Sequence, residues 1–144
     1  MSASPCIRLC RRNELERVLA LWARADAQPT VTDDERALTA LIEHDPEALL
    51  VAELEGEIVG TLAVCWDGWR GSMYRLAVVP ELRRRGIARQ LVAAGENRLW
   101  ALGARRLAVI VVDSDEHAVA FWRALGYEQQ SARARFVKMP PDSS

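Results

Sequence analysis

The sequence VVPELRRRGIAR, residues 78–89, joins the end of an apolar segment to the start of an amphipathic one. Pro80 has no backbone N–H to donate to a sheet, so the preceding strand is expected to end there. Beyond the basic residues, apolar side chains recur at three- and four-residue intervals as far as Leu102, and Gly103 follows as a helix C-cap. The stretch therefore predicts a strand, a short loop and a long helix in direct succession.

The segments around this stretch indicate a sheet. Residues 107–112 are all apolar and mostly β-branched, and they predict a strand covered on both faces. Because a helix connects it to the strand before the loop, the two strands must be parallel. Upstream, turn signals at Glu55-Gly56 and at 67–71 predict three consecutive antiparallel strands. These strands are expected at 48–54, 57–66 and 73–79.

Helices are expected on either side of these strands. Weak alternation over 6–10 predicts a first strand, after which Asn13 would cap a helix. A second helix would start at Thr32, which has capping-box spacing to Glu35, and would end at Asp45-Pro46. The first helix would carry Leu15, Val18, Leu19 and Trp22 on one face.

The C-terminal part predicts one more helix and a weak strand. The helix covers 118–125 and is closed by Gly126, and strand-like character runs from Tyr127 through 136–138. The tail 140–144 is expected to fray. These elements form an α/β (α+β) pattern, and a chain of this length favours a single domain over 1–144.

Composition excludes several classes of protein. Of the 144 residues 50% are hydrophobic and the net charge is −1, which gives no reason to expect a nucleic-acid or membrane partner. No apolar run approaches the roughly 20 residues of a membrane-spanning helix. The three cysteines and two histidines lack metal-ligand spacing, so no metal is expected. Without a signal-peptide pattern, the protein is predicted to be cytoplasmic, as a monomer or homodimer.

The basic loop predicts an anion site. A helix start offers backbone N–H groups without internal partners and the positive end of the helix dipole. Gly86 lets phosphates approach closely, and the neighbouring arginines can bind a pyrophosphate in bidentate fashion. A solvated basic turn with a helix-starting glycine is the alternative.

The loop in its context resembles the signature of the GNAT acyltransferase superfamily. That signature is Gln/Arg-x-x-Gly-x-Gly/Ala, here Arg83-x-x-Gly86-x-Ala88 after Val78-x-Pro80. Residues 115–127 are similar to the family form Asn-x-x-Ala-x-x-Leu-Tyr-x-x-x-Gly-Phe, and 67–88 look like small stand-alone bacterial members. The resemblance implies a mixed, mostly antiparallel central sheet with a splayed parallel strand pair and helices on both faces.

The resemblance also implies a cofactor, acetyl-coenzyme A (acetyl-CoA), and a set of residues that bind it. Main-chain groups of the splayed strand would bind the pantetheine arm, and the loop with its first helical turn would hold the pyrophosphate. The implied cofactor-binding residues are Leu76, Ala77, Val78, Arg83, Arg84, Arg85, Gly86, Ile87, Ala88, Arg89, Asp115 and Trp122.

Four positions depart from the family pattern. Trp122 replaces a tyrosine proposed to protonate the leaving thiolate, and an indole N–H gives up no proton at neutral pH; packing is its alternative role. Asp115 replaces an asparagine and would cap a helix or contact cofactor amides. Glutamate bases of the family fall on Ser72 and Ile110, so no catalytic residue is carried over. The remaining candidate for a general base is a water chain that ends on Asp33, Asp34 or Glu35. The alternative is that these residues are simply the acidic side chains favoured at a helix start.

The sequence therefore predicts an N-acetyltransferase that moves an acetyl group directly to a primary amine of a small molecule or of a protein N-terminus. A catalytically silent coenzyme A-binding module is the alternative, whereas the glycine patterns of nucleotide-binding domains are absent. An acceptor pocket lined by Trp22, Trp66 and Trp69 is a further interpretation, with ordinary packing equally able to explain these side chains.

Overall fold

The computed structural model describes residues 4–25 and 30–141, and five strands in this part form one sheet in sequence order. The chain divides into two compact units, Met1–Ile110, which holds the sheet, and Val111–Ser144. The single domain remains a prediction. The strands are β1 (Cys6–Leu9), β2 (Leu49–Leu54), β3 (Glu57–Trp66), β4 (Gly71–Val78) and β5 (Leu107–Val109), and the helices are α1 (Leu15–Arg24), α2 (Glu35–His44), α3 (Ile87–Leu102) and α4 (Glu116–Ala124).

The sheet has the predicted mixed pairing. Strands β1 to β4 are antiparallel neighbours, and β4 pairs with β5 in parallel. That parallel pairing covers only Gly71, Ser72 and Met73 of β4, and the rest of β4 diverges from β5. The expected α/β fold with a splayed parallel pair is therefore confirmed.

Alternation along β3 places α1 and α3 on opposite faces of the sheet. The Trp22 indole on α1 donates to the Thr61 hydroxyl, so Thr61 points toward α1. Leu62, one residue on, lies close to Gly95 of α3. Since successive side chains of a strand point to opposite faces, helices cover both sides of the sheet.

Helix α3 packs closely on β3 and β4 because Gly95 has no side chain. A Cβ built there would lie 2.9 Å from Val64 Cγ2, 3.1 Å from Leu62 Cδ2 and 3.2 Å from Met73 Sδ. All three neighbours are buried. The helix that carries the loop at its N-terminus is thereby fixed against the centre of the sheet.

A buried ion cluster fastens the start of α1 to the first two strands. The Arg8 guanidinium donates to Glu14 at 2.9 and 2.7 Å and to Glu53 at 3.0 and 2.8 Å. Glu14, only 5% exposed, also accepts from the Arg11 N–H at 2.8 Å. Bonding from Arg8, assisted by the Arg11 N–H, lowers the pKa of Glu14 to about 2 even though burial acts to raise it.

Both predicted N-caps are wrong. Asn13 lies inside a short 3-10 turn, Arg12–Glu14, and the Glu14 carboxylate rather than Asn13 satisfies a free N–H at this point. Helix α2 starts after Asp34, whose carboxylate accepts from the Ala37 N–H at 2.8 Å. Aspartate is as good an N-cap as threonine, and the sequence offers both within three residues.

The predictions after α3 hold only in part. Strand β5 is three residues long rather than 107–112, and it is not covered on both faces, since Ala108 in its middle is exposed. The pairing of β5 with β4 stops at Met73, next to an irregular part of β4. Such an irregularity bends a strand away from its neighbour. Helix α4 is present, but the described residues after Tyr127 contain no strand. Of the tail, 142–144 lie outside the described residues.

No helix in the described ranges is both long and apolar enough to cross a bilayer.

Gly95→Ala should lower the free energy of unfolding by about 1–2 kcal/mol, because overpacking outweighs the gain in helix propensity of about 1 kcal/mol. Urea unfolding measures the change. Asn97→Ala on the exposed face of α3 is the matched control and should be neutral or slightly stabilising. A stabilised Gly95→Ala variant would show that α3 and β3 leave enough space at Gly95 for a methyl group.

Glu14→Gln should cost about 3 kcal/mol of stability at pH 7, because it leaves Arg8 without a buried partner charge. The folded-state pKa of Glu14 is depressed, so its contribution is fully present above the unfolded pKa of about 4.5 and is lost as pH falls toward 2. The matched control is Glu43→Gln, which breaks the exposed pair with Arg12 and should cost no more than about 1 kcal/mol. Equal losses in both variants, or a Glu14→Gln loss that persists unchanged at pH 2.5, would contradict this assignment.

Candidate active site

The loop between β4 and α3 is firmly anchored at its start. Val79 donates its N–H to the Val59 carbonyl at 2.9 Å, which extends the sheet by one bond. A 3-10 turn, Pro80–Leu82, follows as expected from the missing proline N–H. Glu81 in this turn pairs with Arg24 at the end of α1. The loop therefore leaves the sheet in a fixed direction.

The backbone of the loop turns twice through the left-handed region before the helix. Arg84 has φ 67° and Gly86 has φ 82°. Gly86 is the N-cap residue of α3, and a Cβ built on it would meet no atom within 4 Å. Glycine adopts this conformation without steric cost, and the space above it is open.

The backbone N–H groups at the end of the loop and in the first turn of α3 point to no acceptor in the described part of the chain. The first backbone bond of α3 is donated by Gln90 to the Gly86 carbonyl, at 3.1 Å. The N–H groups of residues 84–89 donate no hydrogen bond there, and residues 83–86 are exposed. Uncapped amides and the positive end of a 16-residue helix therefore meet at one exposed point.

The arginines of the loop differ in their surroundings. Arg83 donates from Nη2 to the Ala25 carbonyl at 3.1 Å, so its guanidinium ties the loop to the end of α1. Arg84, Arg85 and Arg89 are exposed and form no salt bridge with any described residue. Three guanidinium groups are thus available beside the uncapped amides.

The first turn of α3 approaches β3 and β4 closely at a second glycine. A Cβ on Gly60 would lie 3.0 Å from Leu91 Cδ1 and 3.3 Å from both Ile87 Cγ2 and the Ala77 carbonyl oxygen. Ile87 is buried in this contact, and Ala88 is half-buried beside it. Gly60 was not identified from the sequence, where it appears only as a small residue inside a strand.

Strand β4 provides an open edge next to the loop. Its pairing with β5 ends at Met73, and no described strand pairs with that edge from Tyr74 onward. Leu76 is half-buried, and Ala77 and Val78 are buried. Their side chains are therefore largely inaccessible, and a ligand at this edge would contact their main-chain groups instead. One continuous segment, 76–89, therefore contains both the three strand residues and the loop residues that were predicted to bind the cofactor.

A hydrogen-bonded network that sequence analysis missed shapes this part of β4. The register to β3 shifts between Thr61 and Ala63, and Arg75 in the bulge has φ 55°. The Thr61 hydroxyl donates to the Arg75 carbonyl at 2.9 Å and accepts from the Trp22 indole at 2.8 Å. Strand alternation alone gives no sign of a bulge, but a fully buried threonine among aliphatic residues would have been a signal.

The predicted acidic cluster has structural partners. Asp33 forms an ion pair with Arg75, whose guanidinium lies 5.3 Å from the centroid of the Trp22 ring. Asp34 caps α2, and Glu35 is exposed in its first turn. Of the three carboxylates, only Asp33 contacts β4, and it does so through a cation.

The three tryptophans do not line one pocket, so that interpretation is wrong. Trp22 is buried beside Thr61, whereas Trp66 lies five residues further along β3, about 16 Å away. Trp69 is in the turn after β3 and shares a hollow with Trp66 at that end of the sheet.

The two remaining predicted residues lie in the second unit. Asp115 caps α4 by accepting from the Ala118 N–H at 3.1 Å. Trp122 is buried between two aromatic rings, with centroid distances of 5.4 Å to Phe121 and 5.0 Å to Tyr127. Capping and packing, the alternatives considered for them, account for these contacts.

Comparison with known proteins agrees with this geometry. Residues 7–127 match the model of the acetyltransferase (GNAT) family. An acetyltransferase of Photorhabdus laumondii is 40% identical over 124 residues, which cover 86% of this chain and 87% of that protein.

Solved structures share the fold. An aminoglycoside N-acetyltransferase in complex with CoA has a TM-score of 0.74 and 21% identity, over 96% of this chain and 97% of that one. The ribosomal-protein-S18-alanine N-acetyltransferase of Escherichia coli also has a TM-score of 0.74, with 19% identity, over 89% of this chain and 80% of that one. With the family model spanning most of its length, this chain belongs to the GNAT family of acetyltransferases.

Proposed function

We propose that this acetyltransferase moves the acetyl group of acetyl-CoA directly to a primary amine, on a small molecule or at a protein or peptide N-terminus. The observation that carries the proposal is the exposed, uncapped start of α3 at Gly86, next to the open edge of β4. An anionic ligand is stabilised there by free N–H groups and the helix dipole.

The residues of segment 76–89 fit a coenzyme A ligand. The open space above Gly86 admits a phosphate, and Arg84, Arg85 and Arg89 add charge for a diphosphate. The free edge of β4 offers main-chain groups to the amide-containing arm, as a strand edge does to an extended peptide. Asp115 and Trp122 stay proposed cofactor contacts, and both also have structural roles of their own, in capping and in packing.

The reaction that fits these residues needs no covalent enzyme intermediate. A neutral amine attacks the thioester carbonyl, a C–N bond forms and the C–S bond breaks. The nitrogen gives up one proton to water, and the thiolate takes one from water. The protein's role is to hold the thioester beside the free edge of β4. Main-chain N–H groups can stabilise the developing oxyanion there. The bulge at Arg75, fixed by the Thr61 hydroxyl, sets the direction of those main-chain groups.

The side chains around β4 favour an acceptor amine of low pKa. Ser72 and Ile110 supply no base, and Asp33 is neutralised by Arg75. At pH 7, deprotonation costs about 4.6 kcal/mol for a lysine-type amine of pKa near 10.4 but only about 1 kcal/mol for an α-amino group near 7.8. The named acceptors of the two structural relatives, an aminoglycoside and a ribosomal-protein alanine, illustrate the two substrate classes proposed here.

A catalytically silent coenzyme A-binding module is the second candidate. It is favoured by one observation, that Trp122 is buried among aromatic rings and that its indole N–H is far too weak an acid to protonate a thiolate. The two candidates share the cofactor site and differ only in turnover.

Gly86→Glu should abolish coenzyme A binding, because a side chain and a like charge would occupy the space proposed for phosphate. Calorimetric titration with coenzyme A measures the loss, which we expect to exceed about 100-fold, from repulsion and lost contacts together. Gly68→Glu is the matched control, since Gly68 has φ 90°, open space around it and a place at the other end of the sheet. Unchanged affinity in Gly86→Glu would remove the basis of the site.

Turnover should follow the ionisation of the acceptor amine. With acetyl-CoA and a panel of amines, free thiol release should give kcat/KM values that rise about tenfold per pH unit up to the pKa of each amine, because only the neutral form reacts. Acceptors with α-amino groups should therefore reach a plateau near pH 8, and lysine-type amines should still rise at pH 9. A single protein-determined pKa for all acceptors would indicate a general base. Tight coenzyme A binding without thiol release for any amine would leave the silent module as the better account.

A further inference from the structure

A second concave surface lies at the end of the sheet opposite the loop. It is a hollow of about 500 Å³ formed by the turn between β3 and β4 and by the C-terminal end of α3. About 20 Å along β4 separates its Arg70 from Leu76, where segment 76–89 begins. We call it the tryptophan–arginine hollow, lined by Trp66, Gly68, Trp69, Arg70, Leu102, Gly103, Arg105 and Arg106.

The hollow carries an excess of positive charge. Arg70, Arg105 and Arg106 form no salt bridge or side-chain hydrogen bond with any residue that the structure describes. The nearby Asp67 carboxylate accepts from the N–H groups of Trp69 and Arg70, at 2.8 and 2.6 Å, so the turn itself uses it. No lining residue is acidic.

The end of α3 reduces this charge without cancelling it. A helix C-terminus carries about −0.5 of an elementary charge. Here two of its carbonyls are already satisfied, by the Gly103 N–H at 3.1 Å and the Ala104 N–H at 3.0 Å. Three guanidinium groups against one carboxylate and the helix end leave an excess of about 1.5 positive charges. The hollow therefore favours an anion.

An exposed indole beside these charges favours a planar ring. Trp69 is 71% exposed, and the Arg70 guanidinium lies 4.0 Å from the centroid of its ring. Because Arg70 covers one face of the ring, the exposed area includes surface that another planar group can stack on. Leu102, 44% exposed, adds apolar surface. The volume is within the roughly 300–1,000 Å³ of small-molecule sites.

From these observations we propose that the tryptophan–arginine hollow binds a nucleoside monophosphate, with the phosphate held by Arg105 and Arg106 and the base stacked beside Trp69. Guanidinium groups bind phosphate oxygens in bidentate fashion, and indole stacking accepts a planar base. This site is separate from the acetyl-transfer site and does not depend on the function proposed for it.

Calorimetric titration of the Gly86→Glu variant with AMP tests the proposal, because the loop is then closed to phosphate while the hollow stays open. Coenzyme A cannot be used to fill the loop, since its own adenosine phosphate could enter the hollow. We expect one AMP per chain. Arg106→Gln and Arg105→Gln should each weaken binding about tenfold, the effect of losing one charge-assisted contact. Trp69→Ala should weaken it by a similar factor. Arg36→Gln, which removes an exposed arginine on α2, is the matched control and should leave the affinity unchanged.

Three results would overturn the proposal. The first is no binding of AMP by wild-type protein whose near-ultraviolet circular dichroism shows native packing. The second is an equal loss in Arg106→Gln and Arg36→Gln, which would indicate general charge attraction. The third is inorganic phosphate binding as tightly as AMP and without dependence on Trp69. Repeating the titration with the wild-type loop separates this site from the loop, because AMP bound at the loop would be lost in Gly86→Glu and retained in Arg106→Gln.

Discussion

The uncapped start of α3 is the constraint on which the rest of the site depends. Helices α2 and α4 begin at Asp34 and Asp115, whose carboxylates accept helix N–H groups. Helix α3, the longest in the described chain, begins at Gly86, which has no side chain to do so. Its free N–H groups must therefore bond to solvent or to a ligand, and an anion satisfies them best because the helix dipole favours negative charge.

The close packing of α3 keeps these N–H groups in a fixed place. Gly60 and Gly95 remove side chains where the helix crosses the sheet, so its axis lies close to β3 along most of its length. At the loop, Val79 bonds to β3 and Arg83 bonds to the end of α1. A site held in this way loses little conformational entropy when a ligand binds.

Much of this architecture could be predicted from local pattern. The order of strands, the long helix and its basic loop followed from hydrophobic periodicity, Pro80 and glycine, because these act over a few residues. The N-cap of α2 could not, since several residues of suitable chemistry compete within one turn. The start of α1 could not either, because Glu14, held by Arg8 of β1, accepts the free Arg11 N–H there. The bulge at Arg75 depends on contacts made across 14 residues to Thr61 and could not be read from β4 alone.

The Thr61 hydroxyl has a consequence for which sequences this fold can accept. It is fully buried, and it satisfies the Trp22 indole and the Arg75 carbonyl at once. Valine would fill the same volume but would leave the buried Trp22 indole N–H without this acceptor, at about 1–3 kcal/mol. One oxygen atom thus joins the first helix to the strand beside the proposed acetyl-transfer centre, and only serine or threonine can provide it in the same place.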